Sequence, residues 1–262
     1  MRVVTWNVRR AAAKSDAWSV LEELDPDIAL LQEVCRIPTQ IASRYNVVLQ
    51  TALGKTGNPQ KFGTAILAKG LTPQSLPLTS EYDWVSQELE SYAGNLVSRR
   101  LLGTIEETPV SVISAYSPAW PLDKSKYPEL EVAQVKLTKN PKLWVTDILW
   151  SALKNANLND TPWIVGGDLN TSESFDLTFG RGNKEYLDRM TALGLTDCLR
   201  SFTGRAVPTF RHTRGHVEHQ MDHLYVTHSL LSKLTNCFVT DEKLVFGNSI
   251  SDHLPIVADF TT

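Results

Sequence analysis

Cysteine is scarce in this sequence: Cys35, Cys198 and Cys237 stand far apart, and no Cys-x-x-Cys spacing occurs. That argues against a thiolate zinc site and against a disulfide framework, and leaves small buried thiols in a reducing compartment as the simpler reading. Long hydrophobic runs are also missing. No segment approaches membrane-spanning length, and Met1-Arg2-Val3-Val4-Thr5-Trp6-Asn7 lacks the apolar core of a secretory leader. A cytoplasmic protein without a membrane partner is therefore expected. Excess positive charge is the third absence. The formal net charge is −3, so polyanions are not attracted globally, and any contact with nucleic acid has to come from local basic patches or a bound cation.

What is present is an ordinary globular composition, 42% hydrophobic over 262 residues, enough to bury a large core. Arg2–Asn7 opens with β-branched residues and reads as a strand. A helical stretch follows over Ser15–Leu24, with Trp18, Leu21 and Leu24 spaced by three, and Asp25-Pro26 stops it. Ile28–Leu31 and Gly63–Ala68 are continuous apolar runs, as expected of strands buried on both faces. Leu96–Glu106 and Pro109–Tyr116 make a hairpin joined near Glu107-Thr108. Residues 117–142, rich in Pro, Lys, Asp and Ser, read as a long surface excursion. Helical spacing returns over Leu143–Lys154 and Asn183–Leu193, the latter stopped by Gly194. Trp163–Gly167, Gln220–Thr227 and Ile256–Phe260 read as strands. No repeat or low-complexity linker divides the chain, so residues 1–262 are expected to form one α/β (α+β) domain, a two-sheet sandwich flanked by helices.

Polar residues gather where these strands end. Asn7 follows the first strand, Gln32-Glu33 closes the second, and Gly166-Gly167-Asp168-Leu169-Asn170 ends the Trp163 strand. Asp222 opens a later strand, and Ser251-Asp252-His253 precedes the last one. Each, taken singly, reads equally well as a turn former, a cap or a structural hydrogen bonder. Glu33 is harder to dismiss, because a buried carboxylate needs a cation or a metal. As a set they supply what in-line cleavage of a phosphodiester requires: oxygen ligands for Mg²⁺ or Mn²⁺, a group to activate water, and an Asp-paired imidazole for the phosphoryl oxygens.

Taken in order, Thr5-Trp6-Asn7, Leu31-Gln32-Glu33, Ala115-Tyr116-Ser117-Pro118, Gly167-Asp168-Leu169-Asn170, Met221-Asp222-His223 and Ser251-Asp252-His253-Leu254-Pro255 resemble the endonuclease/exonuclease/phosphatase superfamily. The likeness spans Val4 to Val257 and lies nearest the exonuclease III and apurinic-endonuclease branch, to which Gly63–Leu67, Ser98-Arg99-Arg100 and Leu193–Asp197 are also similar. It implies a deoxyribonuclease I-like fold and a divalent-metal-dependent phosphodiesterase, foremost a nuclease acting on DNA. Carried over by position, it makes Glu33 the principal metal ligand with Asn7 and Asp252 beside it. Asp168 would orient or deprotonate the attacking water, with Asn170 and Asn7 close by. His253, charged and oriented by Asp222, would bind the scissile phosphate, and Tyr116 would be the active-site tyrosine. Two positions depart from the pattern: Arg9 stands where many nucleases have Asp, and Ala119 where an amide often touches substrate.

Arg99 and Arg100, with Arg9, Arg10, Arg211 and Arg214, are candidate contacts to a nucleic-acid backbone, and Phe210 or Trp120 a candidate stacking surface; solvated charge and ordinary packing are the competing readings. A phosphatase or phosphodiesterase for nucleotides, inositol phosphates or lipid head groups is the main rival within the family. A binding module that lost the reaction is a further one, opposed by the presence of Glu33, Asp168 and His253. His212, His216, His219 and His223 have spacings suited to zinc on a helix, but Gly215 and the polar surroundings favour a loop. Nothing in the sequence fixes the oligomeric state; a monomer is the default.

Overall fold

The computed structural model describes residues 1–103, 108–179 and 182–261. In chain order its strands are β1 (Arg2–Ala11), β2 (Ile28–Val34), β3 (Asn46–Leu53), β4 (Pro59–Ala68), β5 (Thr72–Ser75), β6 (Leu96–Leu102) and β7 (Val110–Tyr116). They continue with β8 (Trp163–Asp168), β9 (Leu195–Asp197), β10 (Phe210–Arg211), β11 (Val217–His219), β12 (Asp222–Thr227), β13 (Leu234–Val239) and β14 (Ile256–Phe260). Two six-stranded sheets result, ordered β13-β14-β1-β2-β4-β3 and β5-β6-β7-β8-β12-β9, with β10-β11 a separate small hairpin. Pairing is antiparallel except for the two central pairs, β1 with β2 and β7 with β8.

The continuous apolar runs are explained by burial on both faces. In β1 and β2, Val3, Ile28 and Leu30 face the second sheet, where they meet Val112, Ile164, Leu224 and Val226. Their alternates Val4, Trp6, Ala29 and Leu31 pack outward against the helix Ala17–Leu24. The second sheet repeats the pattern: Ile113, Ala115, Val165 and Tyr225 face the helices Asp83–Ser91, Val145–Asn155 and Asn183–Ala192. Side chains of period two thus build three apolar layers from two sheets.

Gly166 sits on the inner face, where an added Cβ would lie 2.8 Å from Leu30 Cδ1 and 3.1 Å from Thr5 Cβ. Its missing side chain lets the sheets approach each other just below the site. Gly167 is needed for a different reason. Its Cβ would stand 1.8 Å from the carbonyl oxygen of Ala115 on the neighbouring strand.

Most expected elements are present with shifted ends. The excursion over 117–142 is a correction: it contains the helix Glu129–Val135 and buries Leu122, Val132, Val135 and Leu137 against the second sheet. Its average polarity hid an apolar stripe. The predicted hairpin stands as β6-β7, with Glu107 of its expected turn outside the described residues. The strand pattern expected from Val207 onward appears here as the hairpin β10-β11, with the loop expected around His212 and His216 as its turn. Among the described residues no helix is long and apolar enough to cross a membrane.

Gly167→Ala should lower the free energy of unfolding by about 2–3 kcal/mol, the usual cost of forcing an atom into a filled interior. Urea denaturation checks it, and an unchanged midpoint would mean that β7 and β8 can move apart freely.

Candidate active site

The inner-face positions of β1, β2, β7, β8 and β12 change from apolar to polar along the gap between the sheets. Val3, Ile28 and Leu30 give way to Thr5, Gln32 and Ser114, where Gln32 Nε2 donates to Ser114 Oγ across the gap at 3.0 Å. One step further along the period of two come Asn7, Tyr116, Asp168 and Asp222, all buried. Residues as far apart in sequence as Asn7 and Asp222 meet here only because the sheets are stacked with these strand ends together.

Asp168 is held from three sides. Asn7 Nδ2 donates to its Oδ2 at 3.0 Å, the Asn170 backbone N–H to its Oδ1 at 3.0 Å, and Asn170 Nδ2 to Oδ2 at 3.4 Å. Asn170 takes a left-handed backbone, φ 48°, tolerable for asparagine, and its amide also donates to Ser117 O at 2.7 Å. His253 Nδ1 lies 2.8 Å from Asp222 Oδ2, leaving Nε2 directed at Asp168 Oδ2, 3.7 Å away. Thr209 Oγ1 donates to the same Asp222 oxygen at 2.7 Å. The histidine backbone is clamped as well: Trp6 Nε1 donates to its carbonyl at 2.8 Å, and its N–H donates to Ser251 Oγ at 3.1 Å. Ser251 in turn donates to the Asn7 carbonyl at 2.7 Å.

Strict alternation would turn Glu33 outward with Leu31. Its left-handed backbone, φ 56°, coincides with a register break in β2 and reverses that direction. The carboxylate meets Asn7 Nδ2 at 3.4 Å and the Tyr116 hydroxyl. A non-glycine residue kept in this region stores backbone strain, a feature concentrated at functional sites. Arg9 and Arg10 are left-handed too, at φ 48° and 58°. Arg9 Nε lies 3.9 Å from Asp252 Oδ1, and Arg10 Nε lies 3.9 Å from Glu33 Oε2.

Burial alone would push the His253 imidazole down, but the carboxylates of Asp222 and Asp168 outweigh it and hold the group up at about 10. The cation is therefore the resident form. Asp168 is pushed up by burial and by Asp222, against the pull of His253. Glu33 is pushed up by burial, with Asp252 adding to the effect. Burial, with the nearby Glu33 and Asp168 charges, drives the Tyr116 phenol up, so it stays protonated.

Two sets of side chains fit a divalent cation. Asp168, Asp222 and His253 offer ligand atoms within 4.8 Å of one another, the imidazole only once it gives up its proton. Glu33, with Asn7 and Asp252, offers oxygen donors only, the set that magnesium and manganese favour. The strained, partly desolvated Glu33 carboxylate feels the charge of His253 and of Arg10, whose Nε lies 3.9 Å away.

Among the other sequence candidates, Phe210 is brought to the site: it bridges to His253 through the backbone, and the rings lie 4.9 Å apart. Arg99 and Arg100 are not. They pair with Val112 and Ser111, roughly 13 Å or more down β7 from Tyr116 at about 3.3 Å per residue. The four histidines do not converge. His223 is buried between Asp197 Oδ2 at 2.7 Å and Thr171 O at 2.9 Å, while His219 Nδ1 bonds Ser174 Oγ at 2.8 Å. Sequence reasoning missed Thr209 and Ser251 as supports. Thr209 carries no local signal, whereas Ser251 stands directly before the Asp252-His253 pair.

Residues 4–253 match the endonuclease/exonuclease/phosphatase family. The chain belongs to that family. Membership places it among the enzymes that hydrolyse phosphoester bonds. Solved structures similar to it include an AP endonuclease from Archaeoglobus fulgidus, 19% identical with a TM-score of 0.70 over 100% of both chains. The catalytic domain of Xenopus laevis APE2 is 20% identical, with a TM-score of 0.68 over 99% of this chain and 91% of that one. The 3′ phosphatase NExo from Neisseria, bound to a product DNA hairpin, is 20% identical with a TM-score of 0.67 over 100% of both. At these identities the likeness establishes the two-sheet, deoxyribonuclease I-like fold. No individually curated protein matches the chain in sequence.

The Asp222 carboxylate is what keeps His253 charged. The folded value of about 10 lies above the ordinary histidine value near 6.5. The pair's stabilisation is therefore complete below about pH 6.5 and fades as pH rises toward 10. Imidazole NMR should show His253 protonated at pH 8, with Asp222→Asn lowering its midpoint by about two units. A parent midpoint near 6.5 would refute this.

Proposed function

We propose that this enzyme is a divalent-metal-dependent phosphodiesterase whose substrate is a nucleic acid, foremost DNA. The observation that carries the reading is the line Asp222–His253–Asp168 beside Asn7 and Glu33, with the cationic imidazole and the hydrogen-bonded carboxylate facing one space. A phosphoryl group fits that space. His253 Nε2–H donates to a non-bridging oxygen, and Asp222 keeps it charged and fixed. Asp168, oriented by Asn7 and Asn170, accepts a proton from a water as its oxygen attacks phosphorus. The new P–O bond forms opposite the ester oxygen, whose bond breaks; that oxygen takes a proton from solvent, and Asp168 returns its own. Protonated Tyr116 donates a hydrogen bond toward the phosphoryl oxygens. Glu33, with Asn7 and Asp252, would hold magnesium or manganese, which would supply charge neutralisation there.

DNA as the substrate is supported by the product DNA hairpin bound to the Neisseria 3′ phosphatase and by the local charge. Arg9 and Arg10 rim the carboxylates, and the Arg211 backbone bonds Asp252 O at 2.8 Å. Such guanidinium groups suit phosphates flanking the scissile one. Arg99 and Arg100 lie too far down the strand to share that role.

Activity on oligonucleotides should require added Mg²⁺ or Mn²⁺ and stop with EDTA; full activity in chelator would overturn the metal role. Asp168→Asn and His253→Ala should each lower kcat at least about a hundredfold while the fold persists by circular dichroism. Glu33→Gln should weaken Mn²⁺ binding in calorimetry by about tenfold or more. A Glu33→Gln variant with unaltered affinity would move the ion to Asp168, Asp222 and His253.

A further inference from the structure

A partly open cavity of about 250 Å³ adjoins the catalytic cleft. Its lining includes Asn170 and Ser117, the pair joined by the 2.7 Å hydrogen bond, with Ala119 at its exposed side. Asn170 also orients Asp168, so the pocket opens within one side chain of the reacting centre. From there it runs beneath the 117–142 connection, whose burial the sequence did not show.

Its chemistry is selective. Among the described residues, none that lines it carries a charged side chain. A second phosphate, a polyphosphorylated ring or a zwitterionic head group would lose its hydration there without compensation. Trp144 and Phe175 contribute aromatic surface, the latter ring fixed 4.3 Å from His219. Asn140 and Asn183 also line it, their amides already bonded to the Lys142 N–H and the Asp176 carboxylate, and among the described residues the buried Trp144 Nε1–H has no acceptor. Aromatic faces and an unsatisfied donor together match a flat heterocycle with a hydrogen-bond acceptor on its rim. The volume lies below the roughly 300 Å³ at which pockets for drug-sized ligands begin, so it admits one such group and no stretch of polymer.

We propose that this pocket receives the nucleobase of the nucleotide esterified at the scissile phosphate, making the base itself a determinant of specificity. The proposal rests on the phosphodiesterase reading above. It favours substrates whose base is free of a partner, whether a mononucleotide ester or an unpaired base in a strand, over an abasic sugar, a lipid or an inositol.

The test compares two esters with one leaving group, thymidine 5′-p-nitrophenyl phosphate and methyl p-nitrophenyl phosphate, using the full chain with Mn²⁺. The parent should favour the nucleoside ester in kcat/KM by about a hundredfold. Ala119→Phe, which fills the exposed mouth, and Trp144→Phe, which removes the donor but keeps a ring, should each reduce that ratio about tenfold, equivalent to about 1.4 kcal/mol. A parent ratio near one, or a ratio unmoved in both variants, overturns the proposal. If neither ester is hydrolysed, the phosphodiesterase reading fails instead, and calorimetry with thymidine and adenosine judges the pocket: binding weakened in both variants upholds it, no binding overturns it. A short single-stranded oligonucleotide with and without an abasic residue then separates a strand from a mononucleotide as the source of the base.

Discussion

A charged imidazole between two hydrophobic sheets is tenable only if carboxylates face it, and carboxylates there are tenable only if cations or donors face them. His253, Asp222 and Asp168 meet both conditions at once. Their surroundings are what remains of the hydrogen-bonding capacity: Thr209 on Asp222, Asn7 and Asn170 on Asp168, Ser251 and Trp6 on the histidine backbone. The apolar layers below, with Gly166 allowing the sheets to close, keep this arrangement dry on one side and open on the other. Local polarity is therefore a property of the sheet stacking rather than of any single motif.

Much of this was legible in the sequence because strand periodicity is simple. Counting by two from Val3 reaches Asn7, and from Ile164 reaches Asp168, so residues that alternate with core positions had to lie in the gap. Glu33 was found for a different reason, its place after an apolar run, although alternation gives its direction wrongly; a left-handed residue cannot be read from glutamate in a strand. The Arg99-Arg100 pair illustrates the opposite failure. Its neighbours in sequence are strand residues, but nothing local tells how far along the sheet a strand begins. The buried stripe in 117–142 was lost among lysines and prolines, since four apolar residues scattered over a polar segment carry no period.

Arg9 and Arg10 give the site an unusual balance. Each guanidinium stands near a carboxylate, Asp252 or Glu33, and Arg10 also lies 5.4 Å over the Phe62 ring, which packs edge-on against Tyr116 at 5.5 Å. The basic groups are exposed while the acids are partly buried. Positive charge thus lies at the rim and negative charge in the floor, an order that suits a polyanion guided inward to a cation. Because net charge over the whole chain is negative, this local gradient rather than the molecule's overall field governs approach.

Asn7 sits on the first strand and His253 immediately before the last, and their supports Ser251 and Trp6 tie those two segments together. Neither half of the polypeptide holds both the imidazole and the amide. During synthesis on the ribosome, the Asp222–His253–Asp168 line is therefore incomplete until the segment before β14 has emerged and folded onto β1.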